Sequence, residues 1–209
     1  MKPEDIETRS FAIIDAEAGD HGFSPKEWPL VRRMIHTTAE FEYLETVRIH
    51  PNAIAAGIGA IRSGQPLFTD THMARMGIRR ALLAETGAAV TCLITDSDVM
   101  IQAKKNGTTR ALAAVDAAAE HMDGGIYVVG NAPTALLRLI EHITAGRIAP
   151  ALVIGLPVGF VNAAESKAAL LETDIPYITN VGRKGGSNVA ASVVNALALM
   201  SRTASSPQA

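Results

Sequence analysis

From about residue 40 onward the sequence alternates short apolar runs with stretches of helical periodicity. The apolar runs are YLETVRI (43–49), QPLFTD (65–70), AAVTCLIT (88–95), GIYVVG (125–130), PALVIG (150–155) and PYITNVG (176–182). NAIAAGIGAI, TTRALAAVDAAAEHM, TALLRLIEHITA, NAAESKAALLE and NVAASVVNALALM read as helices. Several of the strands are continuous apolar segments bounded by Gly or Pro, the pattern of strands buried on both faces. Strand and helix in alternation imply a parallel sheet covered by helices on both sides. The expected fold is α/β, a three-layer parallel sheet with two helices before it. The 209 residues fit one domain over residues 1–202, with 203–209 (TASSPQA) expected to form a disordered tail.

The bulk composition excludes several classes of function. A net charge of −2 gives no general attraction to nucleic acid or to an anionic membrane, so anion binding must come from local Arg and Lys clusters. Aromatic residues, at 4%, are too sparse for a base-stacking surface. Cys92 is the only cysteine and reads as a small buried hydrophobe. The start, MKPEDIE, has no apolar core of a signal peptide, and IAPALVIGLPVGFV is too short and too broken by Gly and Pro to span a bilayer. A cytoplasmic protein is expected.

In open α/β sheets the ligand lies beyond the carboxyl ends of the strands. Three strand ends lead through glycine-rich turns into helices: VVGNAPTAL, VIGLPVGFVNAAES and NVGRKGGSNVAAS. Glycine admits a ligand close to the backbone, and the following helix N-termini offer free N–H groups. Gly130 and Asn131 in the first turn, and Arg183, Lys184, Gly185, Gly186 and Ser187 in the last, are therefore candidate anion-binding residues. No P-loop is present, and GIGAIR at Gly57 lacks the third glycine of a dinucleotide fingerprint. No two histidines have metal-ligand spacing, so a protein-held metal is not expected.

One histidine stands apart. In SPKEWPLVRRMIHTT, Ser24 can cap, Pro25 suits the first helical position and Glu27 can close a capping box. At 100° per residue, Trp28, Leu30, Val31, Met34, Ile35 and Thr38 share one arc, while Lys26, Arg32, Arg33 and His36 share the other. The polar arc places His36 beside two arginines and away from the core. His72, after Thr69 and Asp70 at a strand end, is the other histidine placed for chemistry.

The motifs RSFAI, RMIH, GNAPTAL, GLPVGFVNAAESK and GRKGGSNVAAS occur in this order over nearly the whole chain, and together they resemble the precorrin-8X methylmutase family. The resemblance implies a flavodoxin-like fold, a homodimer, and migration of a methyl group from C-11 to C-12 of a corrinoid ring in cobalamin biosynthesis. The implied product, hydrogenobyrinic acid or its cobalt form cobyrinic acid, stays tightly bound and could be handed to neighbouring pathway enzymes. The family's histidine maps onto His36, and its substrate-binding serine and arginine map onto Ser10 and Arg110. Arg9, Arg32 and Arg79 join them as candidates for holding substrate carboxylates, although some relatives have threonine at Arg79. The last loop, GRKGGS where oxygen-dependent members often read GRLGGS, looks more like the cobalt-first branch. Any cobalt would then arrive within the substrate, and no organic cofactor is implied.

The chemistry suits such residues. Arg holds carboxylates bidentately. A histidine acid near a ring nitrogen would raise the electron demand of the conjugated system and ease migration. Arg32 and Arg33 are expected to disfavour imidazolium until a polycarboxylate neutralises them. Two other readings stay open at this point. One is a corrinoid carrier without catalysis, and the other is a phosphate or nucleotide binder that uses GRKGGS.

Overall fold

The computed structural model describes residues 3–203, so the expected tail lies, from residue 204, outside the described residues. Helices α1 (Pro3–Ala18) and α2 (Trp28–Thr38) come first, and α3 (Tyr43–Thr46) runs into β1 (Val47–Ile49). Then follow α4 (Ala53–Arg62), β2 (Leu67–Thr69), the short helices α5 (His72–Gly77) and α6 (Arg80–Leu83), β3 (Val90–Thr91), α7 (Ser97–Asn106) and α8 (Arg110–Ala118). The chain ends with β4 (Ile126–Val129), α9 (Pro133–Thr144), β5 (Leu152–Gly155), α10 (Ala163–Leu171), β6 (Tyr177–Asn180) and α11 (Ser187–Thr203).

The sheet has the order β1-β6-β5-β4-β2-β3. Strands β2 to β6 are parallel and wind outward from β2 in the flavodoxin-like manner, with the reversal of order between β2 and β4. The expected all-parallel sheet is corrected at one edge: β1 runs antiparallel to β6, with Val47 opposite Asn180. Its run is also shorter than the sequence suggests. Residues 43–46 close a helical turn, in which the Thr46 hydroxyl donates to the Glu42 carbonyl at 2.9 Å.

Alternation along the strands divides the core. Ile126 and Val128 of β4 pack with Val31, Ile35, Val193 and Leu197 of α2 and α11. Tyr127 and Val129 turn to the other face, against Val115, Leu136, Leu139 and Leu170 of α8, α9 and α10. The α2 start signal is realised as a reciprocal pair: Ser24 N–H donates to the Glu27 carboxylate at 2.9 Å, and Glu27 N–H to the Ser24 hydroxyl at 3.3 Å. Helix α7, absent from the sequence reading, is capped by the Asp96 carboxylate and stopped at Gly107, which has φ +63°. The apolar run 88–95 extends only at Val90–Thr91, because the chain turns back at once: Asp96 N–H reaches the Leu93 carbonyl at 3.0 Å.

Candidate active site

The rim at the β2/β4 reversal is built around Asp70. This side chain is 1% exposed and accepts three backbone N–H groups, from Gly130 at 2.9 Å, Asn131 at 2.8 Å and Ala132 at 2.7 Å. Burial holds its pKa above the usual carboxylate value, and the three donors oppose that rise without cancelling it. The GNAP turn is thus filled from within. The N–H groups that the sequence offered to an anion at Gly130 and Asn131 already serve Asp70, which corrects the expectation of a backbone cradle there. Gly130 is glycine for a packing reason as well: a Cβ would stand 2.6 Å from Ser187 Cα. Ser187 in turn bonds Thr71 hydroxyl to hydroxyl at 2.8 Å, which ties the start of α11 to the end of β2.

The last loop has a different construction. Lys184 ion-pairs with Glu40 and with Glu42, the latter at 2.7 Å, and these carboxylates hold its pKa above the usual lysine range. Its charge is already compensated, so Lys184 is not the bare cation that the sequence suggested. Gly186 adopts φ +137° and donates its N–H to the Leu156 carbonyl at 2.9 Å. A Cβ on Gly185 would collide with the Leu156 carbonyl and stand 2.7 Å from that of Pro157. Arg183 is exposed and lies 5.5 Å from the centre of the exposed Phe160 ring. Beneath the loop, Lys167 is 1% exposed and donates to the Lys184 carbonyl at 2.6 Å and to Asn180 Oδ1 at 3.1 Å. Desolvation lowers its pKa from 10.5 to about 8.

Helix α2 buries Leu30, Val31, Met34 and Ile35 and leaves His36 exposed, as its periodicity requires. His36 lines a cleft of about 290 Å³ with Arg33, Thr37, Arg79, Asn188 and Asn195. Asn195 fixes the turn that carries Arg79, accepting the Arg79 N–H at 2.8 Å and donating to the Gly77 carbonyl at 2.9 Å. The Phe11 ring of α1 meets His36 edge-on at 5.1 Å, and Arg32 and Arg33 lie 4.3 and 4.8 Å from its centre. Neither arginine is uncompensated. Arg32 pairs with Asp15 at 2.8 Å and Arg33 with Glu7 at 2.7 Å, so the expected repulsion of imidazolium by two bare charges is offset from α1.

The candidates therefore fall into two groups, bridged by the first turn of α11. His36, Arg32, Arg79 and the α1 residues lie along α2 and α11, with Arg9 exposed and the Ser10 hydroxyl turned to the Ile6 carbonyl at 2.8 Å. Gly130, Asn131, Arg183 and Ser187 lie on the rim. Arg110 joins the rim at the start of α8, where Thr109 meets Thr134 of α9 hydroxyl to hydroxyl at 3.0 Å. Asn188 belongs to both, following Ser187 and lining the His36 cleft. His72 also stands at the rim, its Nε2 2.8 Å from the Thr95 hydroxyl. Sequence reasoning missed Asp70, Lys167 and Asn195. Among the described residues no cluster of three His, Cys, Asp or Glu side chains could hold a metal, and no helix is long and apolar enough to cross a membrane.

Fold and rim define a doubly wound α/β protein with its candidate ligand site at the strand-order reversal and along the neighbouring α2–α11 cleft. The model of the CbiC family, precorrin-8X methylmutase, matches residues 5–200, and the chain belongs to this family of methylmutases, which are isomerases of cobalamin biosynthesis. The cobalt-precorrin-8 methylmutase of Priestia megaterium is 46% identical over 96% of this chain and 89% of its own. The precorrin-8X methylmutase of Pseudomonas aeruginosa is 40% identical over 92% and 93%. The crystal structure of precorrin-8X methylmutase from Thermus thermophilus superposes with a TM-score of 0.91 at 46% identity, covering 99% of this chain and all of that one.

Proposed function

We propose that this chain moves the methyl group from C-11 to C-12 of precorrin-8X or cobalt-precorrin-8, with His36 as the acid. The observation that carries the reading is the placement of His36. It is an exposed imidazole on a helix whose other face is locked in the core, in a cleft shared with Arg33 and Arg79. A proton or hydrogen bond delivered to a ring nitrogen draws electrons from the macrocycle and lowers the barrier to migration. Nothing leaves or enters the molecule, so the step needs no organic cofactor. Carboxylate arms of the substrate would take Arg32 and Arg33 from Asp15 and Glu7, and Arg110 and Arg183 would hold others at the rim.

A cleft of about 290 Å³ is small for a tetrapyrrole, since pockets for ordinary ligands run to about 1,000 Å³. Exposed apolar side chains flank the rim: Met73 and Met76 on α5 at 71% and 75%, and Phe160 and Val161 at 84% and 77%. These favour a homodimer in which a second copy completes the substrate enclosure. The GRKGGS loop and the name of the Priestia relative favour the cobalt-bearing substrate.

The test is single-turnover conversion of each substrate, followed by its visible spectrum. His36→Ala should fold, bind either product and convert substrate at least about 10²-fold more slowly. Conversion by His36→Ala at the wild-type rate removes the acid from the mechanism, and binding without conversion by the wild type leaves a carrier.

A further inference from the structure

Lys167 is buried under the GRKGGS loop, and among the described residues no carboxylate pairs with it. Its ammonium donates to the Lys184 carbonyl at 2.6 Å and to Asn180 Oδ1 at 3.1 Å, and Asn180 Nδ2 donates to the same Lys184 carbonyl at 3.0 Å. One backbone oxygen is thus drawn inward by two side chains that are each 1% exposed. The charged groups of the neighbouring α9 point elsewhere: Arg138 and His142 bind Asp116, and Glu141 binds Arg138. The Lys184 side chain is turned outward to Glu40 and Glu42. Among the described residues, Lys167 therefore spends no hydrogen bond on an anion of its own.

The planarity of the peptide unit makes this consequential. In a trans peptide the C=O and the following N–H point in opposite directions. Drawing the Lys184 oxygen into the protein turns the Gly185 N–H outward. Among the described residues that N–H has no hydrogen-bond partner, whereas the next one, on Gly186, is taken by the Leu156 carbonyl. Gly185 is closely packed on the side where a side chain would stand, since a Cβ there would collide with the Leu156 and Pro157 carbonyls. The GNAP turn is the converse case. Its N–H groups are drawn inward by a buried carboxylate, and here a carbonyl is drawn inward by a buried ammonium.

We propose that Lys167 is a positioning residue which, with Asn180, sets the Lys184–Gly185 peptide so that the Gly185 N–H donates to a carboxylate of the corrinoid. The proposal rests on the corrinoid reading of the site. Lys167 touches no substrate and supplies no proton to the ring, so its loss acts on binding and leaves the chemical step to His36.

The experiment is a titration of ¹⁵N-glycine-labelled protein with hydrogenobyrinic acid and, separately, with cobyrinic acid, followed by amide NMR. In the wild type the Gly185 amide proton should move downfield on binding, the signature of a bond to a carboxylate. In Lys167→Met that movement should be lost and the affinity should fall about tenfold to a hundredfold, the range for one charge-assisted hydrogen bond. The single-turnover rate of Lys167→Met at saturating substrate should stay near that of the wild type. Binding by the wild type without a Gly185 response overturns the proposal and leaves the corrinoid reading intact. So does a folded Lys167→Met that keeps both the affinity and the shift. Failure of the wild type to bind either corrinoid overturns the functional reading and this proposal together. If Lys167→Met does not fold, Asn180→Ala, which removes the other inward donor to the Lys184 carbonyl, takes its place with the same expected loss of shift and affinity, and a folded Asn180→Ala that keeps both overturns the proposal.

Discussion

The carboxylate of Asp70 accepts the N–H of Gly130 at 2.9 Å across the reversal of the strand order. With the bonds from Asn131 and Ala132, one side chain at the end of β2 sets the turn after β4. Asp70→Asn keeps the size but places an NH₂ where only acceptors fit. It should destabilise the fold by about 1–3 kcal/mol in denaturant unfolding, the cost of a buried donor left unpaired. Corrinoid affinity should fall with it, because the loop beside Arg110 loses its anchor. Unchanged stability would mean that water satisfies the freed amides.

Arg32 is held by Asp15, which also takes the Trp28 indole N–H at 2.8 Å. If substrate carboxylates displace Asp15, that residue competes with the ligand. Asp15→Asn should then tighten corrinoid binding by up to about fivefold, as befits a part-exposed pair worth under about 1 kcal/mol. The gain should shrink at high salt. Calorimetry at two ionic strengths reads both effects, and weaker binding would assign the pair to holding α1 on α2 alone.

Lys184→Ala should leave corrinoid binding close to wild type, since Glu40 and Glu42 already compensate the ammonium. Gly186→Ala should be worse, because φ +137° strains any residue with a Cβ, at a cost of about 1–3 kcal/mol. Gly185→Ala should be worse too, through the carbonyls of Leu156 and Pro157. An affinity series in which Lys184→Ala is the weakest binder would return the side chain to the site.

Burial sets the pKa of Lys167 at about 8 in the folded chain against 10.5 for the ordinary group. Below about pH 8 both folded and unfolded chains hold the proton, and the fold bears the whole cost of the buried charge. Between about pH 8 and 10.5 the unfolded chain binds more protons, so this side chain's contribution to stability rises with pH, by at most about 1.4 kcal/mol per unit. Unfolding free energies of wild type and Lys167→Met from about pH 7 to 10 should diverge in favour of the wild type. A difference that stays flat would show an amine that does not titrate in this window.

The runs that became β4 and β5 were readable because all four residues of each are buried, and only a strand covered on both faces needs so continuous an apolar segment. His36 was readable for a related reason: α2 is strongly two-faced, and its 100° phase puts the imidazole opposite Val31 and Ile35. Asp70 was not readable. A lone Asp at a strand end looks like a helix cap, and its role depends on a turn 60 residues further on that becomes its neighbour only when β2 pairs with β4. Lys184 misled for the same reason, its partners Glu40 and Glu42 lying in a distant part of the chain. Lys167 sits in a helix with no clear polar face, so nothing marked it as interior.

The outermost strands of the sheet, β1 and β3, are three and two residues long. An exposed strand edge is a template onto which another chain can add, and the longer and flatter it is, the greater the hazard. Here the long, fully buried strands β4 and β5 are interior, and each border offers at most a few unpaired backbone groups. Arg48, at the middle of β1, directs its guanidinium to the Glu45 and Val47 carbonyls at 2.8 and 2.9 Å and adds a charge to that border. A chain nearly half hydrophobic thus presents little open backbone at its sheet borders onto which another strand could add.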